Sequence, residues 1–422
     1  MSIRSSRLMS STALLLAITI LSKAIAFVRE LILLENVGVG SQLDAFLVIF
    51  GLVTIVTGAL GICIVTSLTS MAQLHKGREA LTRLMREGFA VGGLVGIAAL
   101  GVALAYAWIV GENDATVWRL ALILPWIAPF AVVAEYQVAI FLSRGRRTPV
   151  IAGNIIVSLP LIFVLLICDL SIFEYSFGLV AGFILRALIF TFLIIKNETW
   201  EVLSPIKTHL FSQRLWPTLA GGSSMLAVGI IYVTAQMFAR QLGDGQATIV
   251  GYGLKVPLFM LTTVWFVLGT GYFAGLMTHG TNDATRRIAR FSAVNLALFL
   301  IALVGVISLN YFTFDVGNAV LANSEITFVL AQSLPYLPII VFVPIIEMVQ
   351  RLAATTHNHR FVVYVACSIL SSGLLCQIIA IQTQIIIWIK ISPAIAAGAG
   401  FLTALVVLAK IREPMVGKEQ AN

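Results

Sequence analysis

Apolar residues fall in long blocks separated by short polar stretches, with no sustained two-residue alternation. A helix that crosses a membrane needs about 20 mostly apolar residues to span roughly 30 Å of hydrocarbon. Twelve blocks meet that length: 8–34, 43–70, 88–110, 117–142, 149–168, 175–195, 215–240, 247–276, 288–309, 325–350, 361–382 and 385–409. The first follows a basic start at Arg4 and Arg7, as a signal peptide would. It runs on past Lys23 to Leu34 with no small-residue cleavage site, so it reads as a first spanning helix. The pattern predicts an all-α polytopic membrane protein of 12 transmembrane helices in two six-helix lobes. Residues 1–196 form the N-lobe, 197–213 a polar cytoplasmic linker, and 214–422 the C-lobe with a short cytoplasmic tail.

Composition narrows the classes further. The 422 residues are 59% hydrophobic and 11% charged, with mean hydropathy +1.00. Soluble domains carry about 25% charged residues, so a soluble enzyme, a secreted disulfide scaffold and a disordered chain are all excluded. The net charge of +8 points to no nucleic-acid partner, because the bases alternate from loop to loop. Lys76, Arg78, Arg83 and Arg86, then Arg144, Arg146 and Arg147, then Lys196, Lys207 and Arg214 fall on one side. Arg286, Arg287, Arg290, Arg351, Arg360, Lys410 and Arg412 continue the series, while the opposite loops carry Glu35, Glu112, Asp114, Asp169, Glu174 and Asp315. Positive charge marks the cytoplasmic side, which places both termini in the cytoplasm. The four cysteines form no CxxC pair, and the five histidines sit at span ends or in loops, so neither a metal nor a redox site is expected. The sequence has no GxxxxGK[ST], HExxH or GxSxG; no enzyme activity and no cofactor are expected.

Charge inside the spans carries the chemistry. An ionised side chain at the bilayer centre costs at least ~2.5–3.5 kcal/mol, and persists where it faces water, a partner or a substrate. Helix 1 carries Lys23, Arg29 and Glu30, helix 2 opens with Asp44, and helix 8 carries Lys255. Three bases against two acids leave a positive balance. These groups can form a self-neutralised network locking the lobes, or an anion site between them with Glu30 and Asp44 orienting the bases or carrying a coupling ion. Arg186, Glu135 and Glu347 are secondary candidates: the first two as a pair within the N-lobe, Glu347 as a group reaching water near its helix end. Arg119, Arg240 and Lys390 lie near span ends, where snorkelling accounts for them. Pro257 in helix 8 and Pro335, Pro338 and Pro344 in helix 10 predict bends.

Ser22-Lys23-Ala24-Ile25-Ala26-Phe27-Val28-Arg29-Glu30, then Gly38-Val39-Gly40, then Asp44-Ala45-Phe46, resembles the opening of the MviN/MurJ lipid II flippases. Residues 215–275 resemble that family's helices 7 and 8, with Lys255 where it has arginine. The family belongs to the multidrug/oligosaccharidyl-lipid/polysaccharide (MOP) exporters. The resemblance implies that Lys23, Arg29 and Lys255 bind substrate and that Asp44 matches the family's helix 2 aspartate. Lysine at two of these positions keeps charge and loses the bidentate fork. The family's helix 2 arginine pair falls at Thr57-Gly58, and its two further C-terminal helices have no counterpart among the twelve expected here. The implied function is alternating-access translocation of a polyprenyl-diphosphate-linked saccharide across the bacterial inner membrane. The saccharide is a polysaccharide repeat unit or a lipid II-like precursor, and membrane lipids, a polysaccharide polymerase or glycosyltransferases are its expected partners. A cation-coupled multidrug exporter of the same fold and a non-transporting scaffold of a polysaccharide assembly complex stay open beside it.

Overall fold

The computed structural model describes residues 2–74, 78–110, 114–143, 146, 148–167, 171–197, 210–264, 292–308, 332–355 and 359–419. Among them all regular structure is helical. The elements are α1 (Ser2–Val37), α2 (Ser41–Leu74), α3 (Arg78–Val110), α4 (Ala115–Ile123), α5 (Ile127–Ser143), α6 (Thr148–Ile167) and α7 (Ile172–Asn197). They continue with α8 (Leu210–Gln241), α9 (Gln246–Val264), α10 (Ser292–Ser308), α11 (Ile339–Thr355), α12 (His359–Thr383) and α13 (Ile386–Glu419). Among the described residues six stretches are long and apolar enough to cross a membrane: Ser41–Gly58, Leu84–Val110, Ala115–Leu142, Ile172–Lys196, Arg360–Thr383 and Ile386–Lys410. Large apolar side chains such as Ile97, Trp108, Phe163 and Leu188 point outward, an arrangement that lipid favours and water would penalise. The chain is a multi-pass membrane protein.

Two compact units divide it. The first comprises Met1–Gly38 and Ala45–Leu219, the second Val39–Asp44 and Ala220–Asn422. Of the expected linker 197–213, residues 198–209 lie outside the described residues, as do Glu112, Asp169, Lys207 and Asp315.

Within the first unit, close contacts set two registers. Arg29 Nη1 donates to Ser158 Oγ and Asn36 Nδ2 to the Leu165 carbonyl, both across 129 residues, so α1 and α6 run parallel without slip. Gly178 faces Leu161, Gly182 faces Val157 and Gly153 faces Arg186; the four-residue steps in opposite senses make α6 and α7 antiparallel. Gln137 Nε2 donates to the Ala187 carbonyl and to Thr191 Oγ1, which ties α5 to α7. The fourth expected span is two helices, because Pro125 sits in a 3₁₀ turn at Leu124–Trp126 between α4 and α5.

The second unit closes around α8, α9, α11, α12 and α13, with Ile231, Leu254, Tyr336, Ile346 and Ile369 in one apolar core. Gln377 Nε2 donates to the Ile231 carbonyl and to Ser392 Oγ, joining α12 to α8 and α13. The tight α12–α13 connection turns at Gln384, whose φ is 57°. Two of the expected proline bends find no helix interior to bend. Pro335 lies in the 3₁₀ turn Leu334–Tyr336 and Pro338 precedes α11, whereas Pro257 and Pro344 are internal to α9 and α11. A proline ahead of a helix removes no intrahelical bond. Pro160, inside α6, is a further internal proline.

Candidate functional site

The sequence-predicted charged groups of the first unit lie on α1, α5 and α7, and α6 adds the Ser158 hydroxyl. Arg29 and Glu30, both buried, pair side chain to side chain. Ser158 accepts from Arg29 Nη1 at 3.4 Å, and the fully buried Tyr175 hydroxyl donates to Glu30 Oε1 at 3.5 Å. Arg186 on α7 meets Glu135 on α5 at 3.4 Å, as the sequence expects, and its guanidinium lies 5.3 Å from the Phe190 ring centroid. The α1–α6 register and the contact of Gly153 with Arg186 place Lys23 at the level of Arg186. Among the described residues Lys23 makes no ion pair with a carboxylate. A guanidinium and an ammonium held together in this way suit a phosphoryl or carboxylate anion.

Asp44, expected to orient the bases or to carry a coupling ion, has its own set of donors in the structure. Its carboxylate is fully buried in the second unit and accepts from Gly245 N at 2.7 Å, Thr248 N at 2.6 Å and Thr248 Oγ1 at 2.6 Å. These donors open α9, so Asp44 caps that helix from a segment some 200 residues away, and Arg240 is the cation its charge acts on. The orphan N–H groups and the positive end of the helix dipole explain the placement. Gly245 is required here: its φ is +79°, and a Cβ would fall 2.6 Å from Val39 Cγ1. Gly245→Ala is expected to lower the midpoint of thermal aggregation in detergent by several degrees.

Lys255 stands one helical turn from Tyr252, its Nζ 3.9 Å from the ring centroid. Glu347, expected to reach water, is instead buried at 6% exposure in α11 and engaged. Of the snorkelling candidates, Arg119 is exposed beside the Phe173 ring, and Lys390 donates to Gln332 Oε1. Among the described residues no group of three His, Cys, Asp or Glu side chains could hold a metal ion.

No protein-family model and no curated protein matches the chain. Solved structures do. A lipid II flippase MurJ in an inward closed conformation superposes with TM-score 0.69 at 16% identity, over 94% of this chain and 87% of that one. A MOP transporter from Pyrococcus furiosus, described as having a binding pocket of reverse polarity that suggests a different function, matches with TM-score 0.64 at 15% identity, over 95% and 96%. An outward-facing MATE multidrug transporter follows with TM-score 0.62 at 13% identity, over 95% and 96%. The chain has the MOP transporter fold.

Within this MOP fold several site residues carry no signal in the linear sequence. Ser158 and Tyr175 are ordinary helix residues until α6 and α7 bring them against α1. Thr248 reads as a plain polar residue, yet it supplies two of the three donors to Asp44. Gly153, between Ala152 and Asn154, gives no sign in the sequence of its role in making room for Arg186.

Proposed function

We propose that this protein is an alternating-access flippase for a polyprenyl-diphosphate-linked saccharide in a bacterial inner membrane. Its 12 spans would have cytoplasmic termini. The observation that carries the reading is Lys23 at the level of Arg186, with no carboxylate paired to Lys23 among the described residues. Arg29 adds a third base in the same unit, and Lys255 in the second unit offers a further cation for the same anion class. A diphosphate head group supplies the matching charge through charge-assisted hydrogen bonds. Glu30 steadies Arg29 when substrate is absent. The substrate changes sides and no bond in it changes. The fold shared with MurJ supports this reading.

The multidrug exporter is the second reading, supported by the MATE neighbours. A cavity for cationic drugs favours acids and aromatic rings, and pocket polarity varies among MOP transporters, as the Pyrococcus furiosus protein illustrates. Proteoliposomes separate the two. Inward-facing fluorescent undecaprenyl-diphosphate saccharide should become accessible to an external quencher, while a cationic dye should not be moved. Dye transport without lipid translocation would overturn the flippase reading. For topology, a cysteine at Glu112 is expected to label from the periplasm and one at Arg146 only after permeabilisation. Periplasmic labelling at Arg146 would remove the alternation on which the twelve spans rest.

A further inference from the structure

Arg186 is buried and incompletely used. Its residue is 9% exposed, and its Nε–H, like that of Arg29, is buried with no hydrogen-bond partner among the described residues. Its ion pair with Glu135 is a single contact of 3.4 Å to a carboxylate that is itself 28% exposed. A buried donor without an acceptor costs about 1–3 kcal/mol, so an anion that reaches this guanidinium is favoured. The Phe190 ring lies beneath the guanidinium and fixes its plane. Gly153 lets the guanidinium and the Phe190 ring pack against α6, since a Cβ there would sit 3.0 Å from Nε and 2.9 Å from Phe190 Cζ.

The helix registers place Lys23 at the same level. The α1–α6 offset of 129 residues carries Lys23 to Ala152, the neighbour of Gly153. Gly153 in turn faces Arg186 across the antiparallel α6–α7 contact. Two cations from different helices thus converge on one level of the first unit, where Glu135 answers only part of their charge. In a medium of low dielectric such an arrangement is stable when an anion lies between them.

We propose that Arg186 is a direct ligand of the same phosphoryl group that Lys23 contacts, so that one anion bridges α1 and α7 inside the first unit, with Glu135 governing how strongly Arg186 holds it. This rests on the flippase reading above and adds to it a binding residue and a tuning carboxylate. The occupant is a phosphoryl or diphosphoryl group, whether on a lipid carrier or free.

The full chain in nanodiscs, titrated with undecaprenyl diphosphate and separately with inorganic pyrophosphate, tests it through tryptophan fluorescence. Arg186→Gln should weaken binding about 10- to 100-fold, the loss expected for a charge-assisted contact. Glu135→Gln should tighten it several-fold, because the guanidinium is then no longer shared. Gly153→Ala should weaken it with no change of charge. A merely structural Arg186–Glu135 pair predicts wild-type affinity in the folded fraction of all three variants, and that result would overturn the proposal. If Arg186→Gln does not accumulate, Glu135→Gln decides: tightening upholds the assignment and unchanged affinity ends it. Arg186-dependent binding of pyrophosphate means the phosphoryl group alone is recognised; Arg186-dependent binding of the lipid only means the lipid-borne group is the occupant, and both uphold the site. Failure of folded wild-type protein to bind either probe would instead sink the flippase reading itself.

Discussion

Arg29→Ala is expected to lower translocation of the lipid-linked saccharide by about 10- to 100-fold, the range given by one lost charge-assisted contact. The same substitution leaves Glu30 buried without its guanidinium. Breaking one half of a buried pair costs about 3–5 kcal/mol, so the amount of protein in the membrane should fall as well. The two effects separate in the double variant Arg29→Ala with Glu30→Ala. Removing both charges restores the protein level, because the uncompensated carboxylate is gone and Tyr175 keeps only its apolar packing. Transport stays low, because the substrate still lacks its base. Arg29→Lys keeps the charge, loses the fork that reaches Ser158 and Glu30 together, and should retain part of the activity. Recovery of transport in the double variant would mean that Arg29 is a strut for α1 and that the diphosphate is held elsewhere.

How far these features can be read from the linear sequence depends on the range of the interaction that makes them. Among the described residues the apolar blocks lie mostly over helix, because membrane crossing is set by local hydropathy and length. Pro125 escapes that reading: a 3₁₀ turn within an apolar run leaves hydropathy unchanged while splitting α4 from α5. The pairing of Arg186 with Glu135 is legible because two opposite charges at depth in neighbouring spans have few alternatives. The placement of Lys23 at the level of Arg186 is not legible. It follows from the α1–α6 and α6–α7 registers, and those depend on small residues such as Gly153, Gly178 and Gly182 that let backbones approach. Asp44 shows the same limit from the other side. Its depth and charge are plain in the sequence, but its partners at Gly245 and Thr248 lie two hundred residues on, so a carboxylate that reads as a companion of bases is a helix cap.

That cap leads to the second large effect, which concerns stability rather than substrate. Asp44→Ala would strip acceptors from two backbone N–H groups and one hydroxyl in a fully buried place. Loss of an N-cap costs about 0.5–2 kcal/mol, and buried donors left unanswered add about 1–3 kcal/mol each. The variant should therefore unfold or aggregate many degrees below wild type in detergent, and transport should decline in step with the amount of folded protein. Asp44→Asn should be intermediate. Its amide oxygen can still accept from Thr248, but its NH₂ then faces the Gly245 N–H, donor against donor, and the attraction to the helix dipole and to Arg240 is lost. Thr248→Val tests the same contact from the opposite partner: it removes one hydroxyl donor and leaves both backbone bonds, so a small loss of stability is expected and no loss of transport per folded molecule. The opposite pattern would refute the cap. If Asp44→Ala keeps wild-type thermal stability while transport per folded molecule disappears, then Asp44 acts on the substrate or on a coupling ion during the cycle, and its bonds to α9 describe only one stage of it.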